Sequence, residues 1–133
     1  MTDLQRSHEE GFVRAFIEKN KQDRSMSFLA SAKHRRKFTV ELAHFKGLDE
    51  RFSQSIPPKT AHTVREICQL LKSMGAGQTV WIISERSSLD GRELGLEEAL
   101  SQVRGREIGS VLSCIPGKLA YFEDEEKQRL LVR

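Results

Sequence analysis

The sequence predicts an α+β fold, and three observations carry that prediction. Two capping boxes, Ser7-x-x-Glu10 and Thr63-x-x-Glu66, each open a run whose apolar residues recur at helical spacing. Past Gly77 the texture changes to short runs rich in β-branched and aromatic residues, separated by turn residues. Finally, 133 residues with 38% apolar and 31% charged side chains make one core and not two, so a single domain over 1–133 is expected. Within it a helical subregion, 1–47, and an α/β subregion, 60–133, are joined by a loop at 48–59.

In chain order, a first helix is predicted at 8–19, where Phe12, Val13, Phe16 and Ile17 form one stripe and Asn20 is the stop. A shorter helix at 22–30 buries Met26, Leu29 and Phe28. A third at 32–45 carries Phe38, Leu42 and Phe45 at i, i+4, i+7 and ends at Gly47. The pattern then dissolves in "LDERFSQSIPPK", whose Pro57 and Pro58 favour extended backbone. The helix at 62–74 has the clearest stripe: Val64, Ile67, Cys68, Leu71 and Met74, closed by Gly75 and Gly77. Strands follow at 79–84, 108–115, 118–123 and 128–132 in a small, mainly antiparallel sheet. Pro116-Gly117 and the polar run 124–127 make the last three a meander. Between the first strand and this meander, Asp90-Gly91 marks a turn. Leu96, Ala99, Leu100 and Val103 then make a short helix at 96–104 that Gly105 closes. The final strand, "RLLVR", is expected at a sheet edge.

Composition narrows the function classes. The opening "MTDLQRSHEE" lacks a basic start followed by an apolar run, and no stretch approaches the ~20 apolar residues of a membrane span, so a cytoplasmic setting is expected. Cys68 and Cys114 are far apart and have no zinc-ligand spacing, so neither a disulfide framework nor a metal site is read, and no cofactor is implied. Charge is uneven. Residues 1–60 hold 12 Lys/Arg against 8 Asp/Glu, whereas 61–133 hold 10 against 11. Between Lys19 and Lys37 seven basic residues face Asp23 alone, a local balance of +6.

The densest part of that region is "SAKHRRKF", residues 31–38. On a helical projection Lys33 and Lys37 share an outward stripe with Val40 and His44, and Arg36 lies beside it. His34 and Arg35 border the apolar side, with stems along the core edge and polar ends in water. Cations in the first turns after a Ser31 N-cap oppose the helix dipole. That conflict is best relieved if 22–45 is one kinked helix without a free N-terminus. Lys33, Arg36 and Lys37 remain the candidate contacts for an anion or nucleic acid. No aromatic is interleaved with them, and no RNA-binding or zinc-finger motif surrounds them.

Candidate chemistry is sparse. Ser113 and Cys114 are possible nucleophiles, and His8, His34, His44 and His62 possible bases, but no nucleophile motif surrounds any of them; Cys114 reads as packed core. The acid pairs Glu9-Glu10 and Glu97-Glu98 suit helix N-termini, and Glu123 to Glu126 suits a hairpin loop. "IPGK" lacks the second glycine and the following helix of a phosphate loop. The polar connection "SERSSLDGRE" could hold a small ligand or peptide through Glu85, Arg86, Ser88, Asp90 and Arg92, with Ser87 beside them. A solvated loop with internal Asp and Ser hydrogen bonds is the plainer reading. Trp81, inside an apolar strand, reads as core.

These readings favour a small non-enzymatic cytoplasmic protein acting through association with another protein or with itself. The alternative is sequence-nonspecific RNA or DNA binding through the basic segment 19–37. A small enzyme of undetermined reaction class comes third.

Overall fold

Among the described residues six strands form one open antiparallel sheet, and helices cover both of its faces. The computed structural model describes residues 1–56 and 62–133 of the chain; Pro57 and Pro58, in the predicted connector, lie outside the described residues. The strands are β1 (Ser53–Ser55), β2 (Thr79–Ser84), β3 (Arg92–Gly95), β4 (Ser110–Ile115), β5 (Leu119–Glu123) and β6 (Gln128–Val132), in the order β1-β6-β5-β4-β2-β3. The helices are α1 (Asp3–Phe16), α2 (Lys19–Ala30), α3 (Arg35–Thr39), α4 (Val64–Ser73) and α5 (Leu96–Val103), with single 3-10 turns at Leu42–His44 and Glu50–Phe52. No helix among the described residues is long and apolar enough to cross a membrane.

The period-two alternation of the strands divides the core between the faces. Val80, Ile82, Leu112, Leu119, Tyr121 and Leu130 meet α4 and α5 on one side. Trp81, Ile83, Val111, Ala120, Phe122 and Leu131 meet α1, α2 and the α3 region on the other. Because central strands are buried on both faces, they read as continuous apolar runs rather than as alternating ones. The first 47 residues therefore share a core with the strands.

The α+β class, the meander β4-β5-β6 and the Thr63–Glu66 capping box all form as read from the sequence. Several boundaries differ, each for a local reason. The first helix begins at Asp3, because Thr2 caps it by accepting the Gln5 N–H at 3.1 Å, and Leu4, Gln5 and Arg6 are good helix formers. Ser7 is thereby interior to α1, and Asn20 lies inside α2 instead of stopping a helix. The chain turns at Ile17–Glu18, where returning backbone satisfies it: Glu18 N–H donates to Gly47 O and Asp49 N–H to Phe16 O, both at 2.8 Å.

The predicted helix at 32–45 is the largest departure. Ser31 is extended, its hydroxyl and carbonyl both accept the His34 N–H, and only Arg35–Thr39 is α-helical before the 3-10 turn at Leu42–His44. The tighter backbone is set by tertiary contact. Gly109 packs so closely that a Cβ there would lie 2.3 Å from Ala43 N, and Glu125 N–H donates to Ala43 O at 3.2 Å. One continuous kinked helix over 22–45 is thus not formed.

Two short strands lay below sequence detection. β1 is three residues long, and β3 follows the Asp90-Gly91 turn with Gly91 at φ +71°, making β2-β3 a hairpin. Because β1 pairs with β6 through Ser53, Gln54 and Ser55, the final strand is interior and not an edge. Glu123 is also not a loop acid. It is fully buried on β5, where it accepts hydrogen bonds from the Gly105 and Glu107 amides and the Tyr121 hydroxyl, at 3.0, 2.9 and 2.8 Å. That carboxylate ties the exit of α5 to the sheet. Burial, then the charge of Glu123, pushes the Tyr121 phenol up.

Candidate functional site

The two segments singled out for chemistry, the basic stretch and the polar loop after β2, meet in the fold. Arg35 donates to Glu9 from Nη1 and Nη2, at 2.8 and 2.5 Å, and to Asp90 from Nε and Nη2, at 2.7 and 3.1 Å. Glu9 is 0% exposed and also accepts the Trp81 indole N–H at 2.9 Å. Asp90 accepts in addition the Ser84 amide at 3.0 Å. Burial works against the charge on Arg35, but the hydrogen bonds and charges of Glu9 and Asp90 outweigh it and raise its pKa. The end of Arg35 is therefore held in an ion triad, with Glu9 fully buried and Arg35 and Asp90 partly so, and not free in water. Glu9 sits three, four and seven positions before Phe12, Val13 and Phe16, on the buried stripe, so it is not a solvated N-terminal acid.

The remaining candidates divide between fold and surface. Arg36 donates to the Glu85 carbonyl, and Glu85 Oε1 accepts the Gly109 amide at 3.2 Å. Ser88 offers its carbonyl to Arg92 at 3.2 Å, and the Arg86 N–H donates to Ser84 Oγ at 3.0 Å. The loop is closed by its own hydrogen bonds, with Leu89 buried beneath it. Lys33 and Lys37 stay exposed, and the Lys37 ammonium lies 5.9 Å from the Phe28 ring centroid.

Beside Phe28 lies a groove of about 430 Å³ between α2 and the α3 region. Its floor is made by Phe28, Phe38 and Phe45, the last two edge to face at 5.6 Å between centroids. Val40 stands at its mouth, 44% exposed. Lys21, Arg24 and Lys46 form the rim with Glu41 and His44. Arg24 lies over the Phe28 ring at 5.2 Å. Among the described residues no carboxylate pairs with Arg24, Lys37 or Lys46, and Lys21 has only Glu18, at 4.0 Å. The signal for this groove was in the sequence: Val40, a branched apolar residue, falls on the same outward stripe as Lys33, Lys37 and His44. A neighbouring depression of about 280 Å³ is acidic and internally paired, with His44 2.7 Å from Glu125.

One nucleophile-base pair is also brought together. His8 Nδ1 lies 2.7 Å from Ser113 Oγ, yet the two residues are 7% and 2% exposed, which leaves no room for a substrate to reach the hydroxyl. Burial lowers the His8 pKa, against smaller opposing effects of Glu93 and Glu9. Cys114 is buried too, and its thiol is pushed up to about 12, away from thiolate reactivity. Among the described residues no three His, Cys, Asp or Glu side chains are grouped to hold a metal ion.

Comparison of the chain with protein-family models, with curated proteins and with solved structures finds no match.

Proposed function

We propose that this chain is a non-enzymatic association module of the cytoplasm, and that it docks a segment of another protein in the groove between α2 and the α3 region. The observation that carries the reading is the groove itself. It combines three phenylalanines, an exposed branched residue and a rim of cations of which, among the described residues, only Lys21 has a carboxylate partner, on a surface that the rest of the fold does not cover. Binding sites of this kind are concave and mainly apolar, with a few polar groups that orient the guest, and about 430 Å³ falls within the ~300–1,000 Å³ range usual for them. A cytoplasmic setting agrees with two buried cysteines left as free thiols.

Of the three cations expected to meet phosphate, Arg36 is engaged by the Glu85 carbonyl, and neither Lys33 nor Lys37 lines the groove. This weakens the case for nucleic acid as the main partner. The buried state of Ser113, His8 and Cys114 weakens the case for an enzyme in the same way.

The test is a random peptide library selected on the full chain and counter-selected on Val40→Glu. Val40 is exposed, so the charge alters the mouth of the groove and not the core. Clones that bind the wild type and lose at least about tenfold in affinity on the variant are the expected outcome. Enrichment of clones indifferent to Val40→Glu, or no enrichment, overturns the reading.

A further inference from the structure

We infer that the occupant of this groove is an acidic peptide segment with an aromatic or branched apolar anchor, an inference that rests on the association reading above. Charge complementarity selects it. Lys21, Arg24 and Lys46 line the opening, and among the described residues Glu41 is the single acid that lines it. A rim of this sign attracts carboxylates over the distance that salt allows, about 8 Å at physiological ionic strength, and gives specificity and on-rate more than raw affinity. The apolar part selects the anchor. Phe28 and Phe45 are half-buried, Phe45 resting edge to face on the buried Phe38, and the exposed Val40 adds an aliphatic wall, so the groove offers aromatic and branched surface to a side chain of similar shape.

The same geometry disfavours a nucleic-acid strand in this position. Stacking a base needs an open aromatic face, and Arg24 and Lys37 already lie over the Phe28 ring. Glu41 would stand against a phosphate backbone, whereas a peptide can set a neutral or basic residue opposite it.

Three measurements on the full chain decide the matter. The first is the charge of the groove-dependent peptides recovered from the library; the expected clones carry a net negative charge around one or more Trp, Phe, Leu or Ile residues. The second is their affinity for the triple variant Lys21→Glu/Arg24→Glu/Lys46→Glu, in which all three positions are on the surface; a loss of at least about tenfold is expected, together with weaker wild-type binding as salt rises. The third is fluorescence anisotropy with labelled oligouridine, which should bind more weakly than the acidic clones. Groove-dependent clones that are neutral or basic, or that keep their affinity for the triple variant, overturn the acidic partner and leave the docking groove standing. Absence of groove-dependent clones overturns both. Oligouridine binding tighter than any peptide, and lost in the triple variant, overturns both in favour of a nucleic-acid surface.

Discussion

Arg35 draws α1, α3 and the β2-β3 turn to a single point, because one guanidinium serves two carboxylates that come from either side of it in sequence. Glu9 has no exposure to water, and its carboxylate is shared between Arg35 and the Trp81 indole. Replacing it by glutamine keeps the size but turns one acceptor into a donor facing two donors. Breaking a fully buried ion pair by removing one partner costs about 3–5 kcal/mol, but Arg35 is partly exposed and keeps Asp90, so the loss here falls below that range. Glu9→Gln is therefore expected to lower the unfolding free energy by about 1–3 kcal/mol, read as a lower urea midpoint at unchanged slope. Asp23→Asn, which removes the exposed Arg14 pair, should leave the midpoint nearly unchanged. Equal effects in the two variants would show that the triad does not hold the segments together. At this scale the sequence was legible only in part. The sequence places Arg35 on the apolar border of its turn with its polar end in water; the carboxylates that take up that end lie 26 and 55 residues away, and no local pattern announces a pairing that only tertiary packing creates.

The seam between α1 and the sheet shows how elements are fixed to one another. Gly11 lies against the β4-β5 turn so closely that a Cβ there would come within 2.7 Å of Gly117 N, and one turn earlier His8 bonds to Ser113 on β4. Burial disfavours the imidazolium, so His8 titrates below its ordinary 6.5 in the folded chain, with Glu93 of β3 and Glu9 of α1 opposing the shift in part. The unfolded chain takes up its proton near the ordinary value. Below that point the unfolded state holds more protons, so this part of the stability is full above pH 6.5 and is lost as the pH falls towards the lower folded value. The melting temperature of the wild type should accordingly fall more between about pH 7.5 and about pH 5 than that of His8→Asn, whose amide can still bond to Ser113 but does not titrate. Parallel pH profiles would exclude His8 as the source of the dependence. The helix at Thr63–Glu66 with Ile67, Cys68 and Leu71 was legible from cap and stripe together, whereas at Ser7–Glu10 the stripe held and the cap did not, because Thr2 caps α1. Other elements were lost where a contact from another element set the backbone, as Gly109 does beneath Ala43, and where a strand was too short to show a period, as in β1 and β3.

At the scale of the whole molecule, the N-terminal helices carry two loads at once. Their inner side closes one face of the sheet over Trp81, Ile83, Val111, Phe122 and Leu131, and their outer side forms the basic-rimmed groove. The groove's shape is thereby coupled to the integrity of the core, since Phe38 belongs to both. Composition and the change of texture after Gly77 suggested a helical part followed by an α/β part, but not that the first would cover a face of the second. Strands buried on both sides give continuous apolar runs, and a continuous run does not say what lies on either face. A fragment spanning 62–133 tests the consequence. It keeps β2 to β6 with α4 and α5, and so retains the whole core of one face except Ile56. Its other face, however, would present five large apolar side chains to water, at roughly 1.5–3 kcal/mol each, which rivals the entire stability of about 5–15 kcal/mol usual for a domain. The full chain is expected to show a cooperative thermal transition and a near-ultraviolet circular dichroism signal from the buried Trp81, and the fragment to lose both and to bind a hydrophobic dye. A fragment that unfolds cooperatively without binding the dye would mean that α4 and α5 with the sheet fold independently, and that the groove is carried on a separable layer.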